Sequence, residues 1–244
     1  MKGLLSPSVI ENLTVGVITS IITGLAVWSW AKLQTSQLLN RRAAFFGMSP
    51  KENCLIVINH DPRNQNAMAM GDVETLIEMV RLVDTINGKA TIAKFDRILE
   101  PAGATTEFCI GGPSSNQRAN VHLANFLPGI AFNDYIADNP HSLAILTKDR
   151  TYGYKKDQDE YAILARFFPE PEACPVILIC GQTSKANHGA VHYLVKAHDG
   201  YLQKTFGNRR PFCVVVKLRS PLTYGVRSVQ LVEDISKVAF VPKT

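Results

Sequence analysis

The feature that most constrains this chain is an uninterrupted apolar run close to its N-terminus. Residues 12–31, NLTVGVITSIITGLAVWSWA, contain no charged side chain. In a helix, about 20 residues rising 1.5 Å each cover a hydrocarbon core of about 30 Å. Trp28 and Trp30 lie at the end of the run, where aromatic side chains favour the interface between lipid and water. The run therefore predicts an N-terminal transmembrane anchor within residues 1–32, with the lipid bilayer as its partner.

The charges on the two sides of this run differ. Lys2 and Glu11 precede it, whereas the basic residues that follow are Lys32, Arg41, Arg42 and Lys51. The positive-inside rule then predicts a single-pass protein of the inner (cell) membrane with its C-terminal domain in the cytoplasm. Five cysteines without a CxxC pair or metal-ligand spacing predict reduced, buried thiols on the same side. A cleaved signal peptide is the alternative, and the long apolar run and weakly basic start count against it.

Small residues lie on one side of this helix. Gly16, Ser20 and Gly24 are spaced four apart, which lets two helices approach closely and predicts a homo-oligomer. The segment 33–52 is predicted as a juxtamembrane linker that continues the helix and ends at Ser49-Pro50.

The remaining residues, 53–244, predict one cytoplasmic α/β domain. Six predicted strands are CLIVINH (54–60), KATIAKF (89–95), TEFCIGG (106–112), CPVILICG (174–181), CVVVKLR (213–219) and VRSVQLVEDI (226–235). Predicted helices lie between them: one is capped by Asp72 and stopped by Asn87-Gly88, one starts near Ser115, and one covers 187–198. IAFNDYI and SLAILTK predict an inserted β-hairpin, and 159–168 is compatible with helix or strand. Apolar runs without alternation are typical of parallel strands covered on both faces. The fold class predicted is therefore a Rossmann-like or flavodoxin-like, mostly parallel sheet.

Polar loops follow three of the predicted strands. In such a sheet, ligands bind beyond the carboxyl ends of the strands, where glycines allow close approach and helix N-termini attract anions. The ligand-binding candidates in these loops are Asn59, Asn64, Asn66, Gly111, Gly112, Ser114, Ser115, Asn116, Arg118, Gly181, Gln182, Thr183, Ser184, Lys185 and Asn187. Ordinary strand-to-helix turns with serine caps are the alternative for each loop alone. Three converging loops of this kind favour a nucleotide-type ligand.

Catalytic candidates are weaker. His60 and Asp61 are adjacent and could form a base with its orienting group, and His188 is close to a predicted helix start. Arg118 and Lys185 are expected to meet a phosphate. We expect solvated positions for His122, His192 and His198 on the predicted helices. No metal site, cofactor or surface for duplex nucleic acid is expected, because metal-ligand spacing and interleaved basic and aromatic residues are absent from the sequence.

The order of parts resembles membrane effectors of prokaryotic antiphage immunity of the CARF type, which join a transmembrane helix to a Rossmann-like sensor of cyclic oligonucleotides. The resemblance lies in the architecture of residues 12–220 and in the glycine-bearing loops. It implies a ligand-binding sensor that signals to an oligomeric transmembrane helix. A membrane-tethered enzyme acting on a nucleotide or sugar nucleotide, and a scaffold whose loops only cap helices, are the competing hypotheses.

Overall fold

A computed structural model describes residues 7–61, 64 and 67–242. The helices are α1 (Pro7–Phe45), α2 (Met70–Thr85), α3 (Gln117–Phe126), α4 (Ser184–Ala197), and the single turns α5 (Gln203–Phe206), α6 (Pro221–Tyr224) and α7 (Ser236–Ala239). The strands are β1 (Asn53–Ile58), β2 (Lys89–Lys94), β3 (Thr106–Ile110), β4 (Ala131–Phe132), β5 (Ile145–Leu146), β6 (Thr151–Tyr152), β7 (Asp159–Phe167), β8 (Val176–Gly181), β9 (Phe212–Arg219) and β10 (Val229–Asp234). The chain is thus a mixed α/β protein with a long N-terminal helix.

The main sheet has seven strands in the order β10-β9-β7-β8-β3-β1-β2. β2, β1, β3 and β8 run parallel to one another, whereas β7 is antiparallel to both β8 and β9, and β10 is antiparallel to β9. A mostly parallel sheet is therefore confirmed, and the ambiguous segment 159–168 is a strand. The chain passes from β1 to β2 on one side and returns to β3 on the other side of β1. The strand order accordingly switches direction between β1 and β3.

Both faces of this sheet are covered. Successive side chains of a strand point to opposite faces, so Phe108 packs on the side of α2 and α4, and Cys109 packs on the side of α3. The second face is also covered by α7 and by the small sheet β4-β5-β6, in which β4 and β5 pair antiparallel as the predicted hairpin. Burial on both sides explains the continuous apolar runs LIVI (55–58), FCI (108–110) and VILIC (176–180) in β1, β3 and β8.

The helix α1 is long and apolar enough to cross a membrane, and none of its most apolar 18 residues is buried. At 1.5 Å per residue its 39 residues extend about 58 Å. It continues without a break past residue 33, where the linker was predicted to begin, and ends at Phe45. Gly47 follows with a φ of +65°, a left-handed conformation that suits glycine and turns the chain before Ser49-Pro50.

The C-terminal end of α1 is built into the core of the α/β domain. Phe45 and Phe46 are buried, and the Phe46 carbonyl accepts a hydrogen bond from Thr106 at the start of β3 (3.0 Å). Arg166 of β7 is fully buried, and its guanidinium lies 4.6 Å from the Phe45 ring and 5.1 Å from the Phe212 ring. It donates to the carbonyl of Phe45 at 2.7 Å and also to those of Gly207 and Arg210. The helix therefore enters the domain at the amino ends of the parallel strands.

Candidate functional site

A cavity of about 390 Å³ lies at the carboxyl ends of β1, β3 and β8, next to the switch in strand order. All three polar loops contribute to it, together with residues of the inserted hairpin. The described residues that line it are Asn59, Asp61, Ala69, Asp72, Gly112, Ser114, Ser115, Tyr135, Leu143, Gly181, Gln182, Thr183, Ser184 and Asn187. Most of the predicted binding residues are thus brought together in one place.

The wall of the cavity is organised around the carboxylate of Asp72. Asn59 Nδ2 donates to Asp72 Oδ2 and Asn187 Nδ2 donates to Asp72 Oδ1, each at 2.9 Å. The Asn59 amide also donates to the Ser115 hydroxyl at 3.2 Å. Burial raises the pKa of Asp72, and these two amide hydrogen bonds offset only part of that effect. Asp72 is 3% exposed, so it is a buried charge whose partners are neutral.

Two glycines let the strand ends approach this network. Gly111 has a φ of +122°, and a Cβ there would lie 2.8 Å from the Cβ of Asn59. A Cβ at Gly181 would lie 2.8 Å from the backbone nitrogen of Asn187, whose side-chain oxygen accepts from Gly181 N at 2.7 Å. Glycine is therefore required at both positions to place the amides that hold Asp72.

The helices α3 and α4 begin at the same edge with capped N-termini. Asn116, rather than Ser115, caps α3, and its side-chain oxygen accepts from Ala119 N at 3.2 Å. Thr183 caps α4 and accepts from Ala186 N at 3.1 Å. The Thr183 hydroxyl also donates to the buried carboxylate of Glu160, whose pKa is raised by burial. The positive ends of both helices thus face the cavity.

Gln182 has a structural role in this arrangement. Its side-chain oxygen accepts from Tyr161 N, and its amide donates to the Tyr152 carbonyl, both at 2.8 Å. Both ends of the side chain therefore bind backbone, which ties the loop after β8 to β7 and β6.

The two basic residues predicted to meet a phosphate are engaged elsewhere. Arg118 makes a two-pronged ion pair with Glu107, with nitrogen–oxygen distances of 2.8 and 2.7 Å. Lys185 Nζ lies 2.9 Å from Asp157 Oδ1. Neither side chain is among the described residues that line the cavity.

In the loop after β1, the structure describes residues 59–61, 64 and 67–69. Asp61 lines the cavity, whereas His60 points toward β2, with its Nδ1 3.0 Å from the Asp61 carbonyl and its ring 5.4 Å from that of Phe95. The Asn64 backbone closes a turn onto the Asp61 carbonyl at 3.0 Å. Asn66 lies outside the described residues. The pair of His60 and Asp61 therefore does not form a base oriented by its neighbour's carboxylate.

His188 lies in a different place, a cleft of about 570 Å³ between α2 and α4 that reaches Arg42 at the end of α1. Its Nδ1 is 3.2 Å from Glu74 and its Nε2 is 3.1 Å from Glu78, which also binds His192 Nδ1 at 2.8 Å. Burial alone would raise the pKa of Glu78, but its hydrogen bonds to the two histidines outweigh burial and lower that pKa.

The prediction of solvated helical histidines is wrong. His122 and His198 are buried, and His192 is mostly covered because it packs between α2 and α4. His122 Nε2 lies 2.8 Å from Glu107, so the strand supplies a buried carboxylate beneath α3. The ligand atoms of Glu107, Cys109 and His122 lie within 4.8 Å of one another, a spacing compatible with a metal ion. The Arg118 guanidinium already occupies both carboxylate oxygens of Glu107, which makes this cluster an ion-pair network.

The sequence-based reasoning missed Asp72 as a site residue because it was interpreted as a helix cap. The helix begins at Met70, which makes Asp72 its third residue, and the cap position is Ala69. Tyr135 and Leu143, on either side of the hairpin turn, were also missed. Asp72 shares the buried side of α2 with Thr75, Met79, Leu82 and Val83, at helical spacing.

No model of a known protein family matches the chain, and a search of curated proteins finds no matching sequence.

Proposed function

We propose that this protein is a membrane-anchored sensor whose α/β domain binds a nucleotide-type small ligand and whose helix α1 carries the response. The observation that carries this proposal is the cavity at the switch point, where the loops after β1, β3 and β8 meet. Open α/β sheets bind ligands at this position because the loops diverge there and leave a crevice. The order β2-β1-β3-β8 supports a flavodoxin-like or Rossmann-like assignment for this half of the sheet.

The membrane part of the proposal rests on α1. Its apolar length suits a bilayer, and the basic residues that follow favour a cytoplasmic α/β domain at the inner (cell) membrane. The burial of Phe45 and Phe46, together with the carbonyl contacts of Arg166, supports α1 as an output element. A helix fixed in the core moves with the domain, whereas a flexible linker would absorb the displacement.

Self-association in the membrane completes the proposed mechanism. A Cβ at Gly16 or Gly24 would meet no atom within 4 Å, so this face is open to a second copy. With an oligomeric helix, the chain would work as CARF-type effectors of antiphage immunity do. Its ligand class then includes the cyclic oligonucleotides that such sensors bind.

Calorimetry of the full chain in detergent micelles tests the binding step. The panel comprises ribonucleosides, their phosphates and cyclic oligonucleotides, and the blocking variant is Ser114→Trp, since Ser114 is exposed and lines the cavity. Gln117→Trp, three residues along and exposed at the start of α3, is the matched control. We expect a panel member to bind the wild type and the control, with affinity for Ser114→Trp at least tenfold weaker. Absence of binding by the whole panel, or equal binding by both variants, would contradict the proposal.

Cross-linking tests the output step. A cysteine introduced at Gly24 in membranes is expected to form disulfide-linked dimers whose yield changes when the cavity is occupied. An unchanged yield with bound ligand would remove α1 as the output element and leave it as an anchor.

A membrane-tethered enzyme acting on the same ligand class is the second candidate. The observation in its favour is that Asp61 and the buried Asp72 both line the cavity, since two carboxyl groups in different environments are suited to acid–base chemistry. Chromatography of the reaction mixtures tests this candidate. Products that form with the wild type but not with Asp72→Asn would support it. The hypothesis of an enzyme that uses His60 or His188 as its acid or base has no support from the cavity, because neither side chain lines it.

A further inference from the structure

We infer that the cavity takes the uncharged sugar-and-base part of its ligand and keeps phosphate groups outside, an inference that rests on the proposed nucleotide-type function. The sequence suggested the reverse, because glycine-rich loops and helix N-termini are typical of phosphate sites. The structure places a carboxylate of the protein where a phosphate would be held.

Asp72 occupies that position through its place in α2. It is the third residue of the helix, so its negative charge matches the positive helix end that would otherwise attract an anion. The amides of Asn59 and Asn187, which are natural donors to a phosphate, are already donating to the two oxygens of Asp72. These two amides are therefore used within the protein.

The surrounding charges act in the same direction. Asp61 also lines the cavity, and the carboxylate of Glu160 lies behind Thr183. Among the described residues, the cations Arg118 and Lys185 form ion pairs with Glu107 and Asp157. A phosphate placed among these carboxylates would be repelled, and the repulsion is strong in a partly desolvated cavity.

The same groups suit a ribose and a base. Each carboxylate oxygen of Asp72 has two lone pairs and accepts one hydrogen bond from an asparagine amide. Each oxygen can therefore still accept a hydrogen bond from one of the vicinal hydroxyls of a ribose. Tyr135 stands at the rim with 70% of its surface exposed, in position to pack its ring against a planar base. A cavity of about 390 Å³ is within the usual range for small-molecule sites.

Calorimetry with a charge series tests this inference on the full chain in micelles. For each of the four common bases, the probes are the ribonucleoside, its 5′-monophosphate, its 5′-triphosphate and the 2′,3′-dideoxynucleoside, each titrated in EDTA and in Mg²⁺. We expect the ribonucleoside of the preferred base to bind most tightly. The triphosphate should bind at least tenfold more weakly, and removal of both hydroxyls should also weaken binding at least tenfold.

The Asp72→Asn variant gives a result that a purely structural role would not produce. Loss of the carboxylate should weaken binding of the ribonucleoside and strengthen binding of the triphosphate. The ratio of their affinities should therefore fall or reverse. Asp84→Asn, which removes the same charge at the exposed far end of α2, should leave the series unchanged. Arg63→Met, which removes a positive charge from the loop after β1, should also leave the affinities of the series unchanged.

The outcomes separate the inference from the proposed function. A triphosphate that binds the wild type more tightly than its nucleoside, with or without Mg²⁺, overturns the inference while the proposed function stands. Triphosphate binding that is lost in Arg63→Met also overturns it and assigns the phosphate contact to that side chain. If neither these probes nor cyclic oligonucleotides bind, the proposed function fails, and the inference fails with it.

Discussion

The two ends of the parallel strands are built in different ways. At the amino ends, where α1 enters, buried charged groups have several partners: Arg166 donates to carbonyls between two aromatic rings, and Glu107 near the start of β3 binds Arg118 and His122. At the carboxyl ends, the buried charge of Asp72 has only the neutral amides of two asparagines. The carboxyl ends also enclose a cavity of about 390 Å³.

This difference indicates a division of roles. Removing one partner from a buried network of charges destabilises a fold strongly, whereas a weakly compensated buried charge in a cavity is a candidate functional group. The division also means that the cavity and α1 lie at opposite ends of the sheet. Under the proposed function, a signal between them would pass along the strands or along the contact of α2 with α4, where Glu78 binds His188 and His192. Four substitutions test this comparison, in order of decreasing effect.

Replacing Arg166 by Met should cause the largest loss of stability, about 3 to 5 kcal/mol, because it leaves several buried carbonyls without a donor. Urea unfolding of the full chain in micelles, followed by near-UV circular dichroism, measures the change. Arg81→Met on the exposed face of α2 is the control and should shift stability by less than about 0.5 kcal/mol. Equal effects in the two variants would show that the amino ends do not depend on Arg166.

Replacing Gly47 by Ala should cost about 3 kcal/mol, because the new Cβ would lie 2.5 Å from Pro175 Cδ in addition to the strain of a left-handed φ. Gly153 is the control, because it has no positive φ and a Cβ there would meet no atom within 4 Å. Gly153→Ala should therefore change the free energy of unfolding by less than about 0.5 kcal/mol. Thermal unfolding of both variants measures the difference, and equal losses would mean that α1 and the segment before β8 are not in tight contact.

Replacing Glu107 by Gln should cost about 2 kcal/mol at pH 7, because the charge that pairs with Arg118 is lost. Burial alone would raise the pKa of Glu107, but hydrogen bonds to Arg118 and His122 outweigh burial and hold it below the ordinary value of 4.5. The stabilisation is then fully present above pH 4.5 and is lost as the pH falls through the folded-state pKa. Urea unfolding should show that the difference in free energy of unfolding between wild type and Glu107→Gln becomes smaller in acid. Glu172 is fully exposed, so Glu172→Gln should have the same free energy of unfolding as the wild type.

Replacing Asp72 by Asn should have the smallest effect at pH 7, within about 1 kcal/mol, because the ionised carboxylate is poorly compensated. Its folded-state pKa is raised above 3.8, so protonation favours the folded state. The wild type should therefore gain stability over Asp72→Asn as the pH is lowered through that pKa. The pH dependence is opposite in sign to that of Glu107→Gln, and the same sign for both variants would contradict the contrast between the two ends.

The main elements of the fold could be predicted from apolar runs and helix-stop residues. The runs at 54–60, 106–112 and 174–181 are strands because they are buried on both faces, and Asn87 ends α2 in a left-handed conformation. The direction of β7 could not be predicted, because apolar residues occur in parallel and antiparallel central strands alike. Its place between β8 and β9 depends on long-range pairing that local periodicity does not encode.

The candidate site could be predicted at the level of loops but not of charges. Asn59, Ser115 and Asn187 were expected at the strand ends and lie there, because the carboxyl ends of parallel strands share one edge. The partners of Arg118 and Lys185 were not predictable, since Glu107 and Asp157 are distant in sequence and flexible basic side chains bind whichever carboxylate is near. The burial of His122 could not be predicted for the same reason, because it depends on the contact with the Glu107 carboxylate.

Mass spectrometry of small molecules released from the purified full chain tests the central claim most directly. We expect a nucleoside-type compound to be released on denaturation from the wild type and from Gln117→Trp, and its amount to be at least tenfold lower in Ser114→Trp. Release of the same compound in equal amounts from all three proteins, or of no such compound from the wild type, would contradict the assignment of the ligand to the cavity at the carboxyl ends.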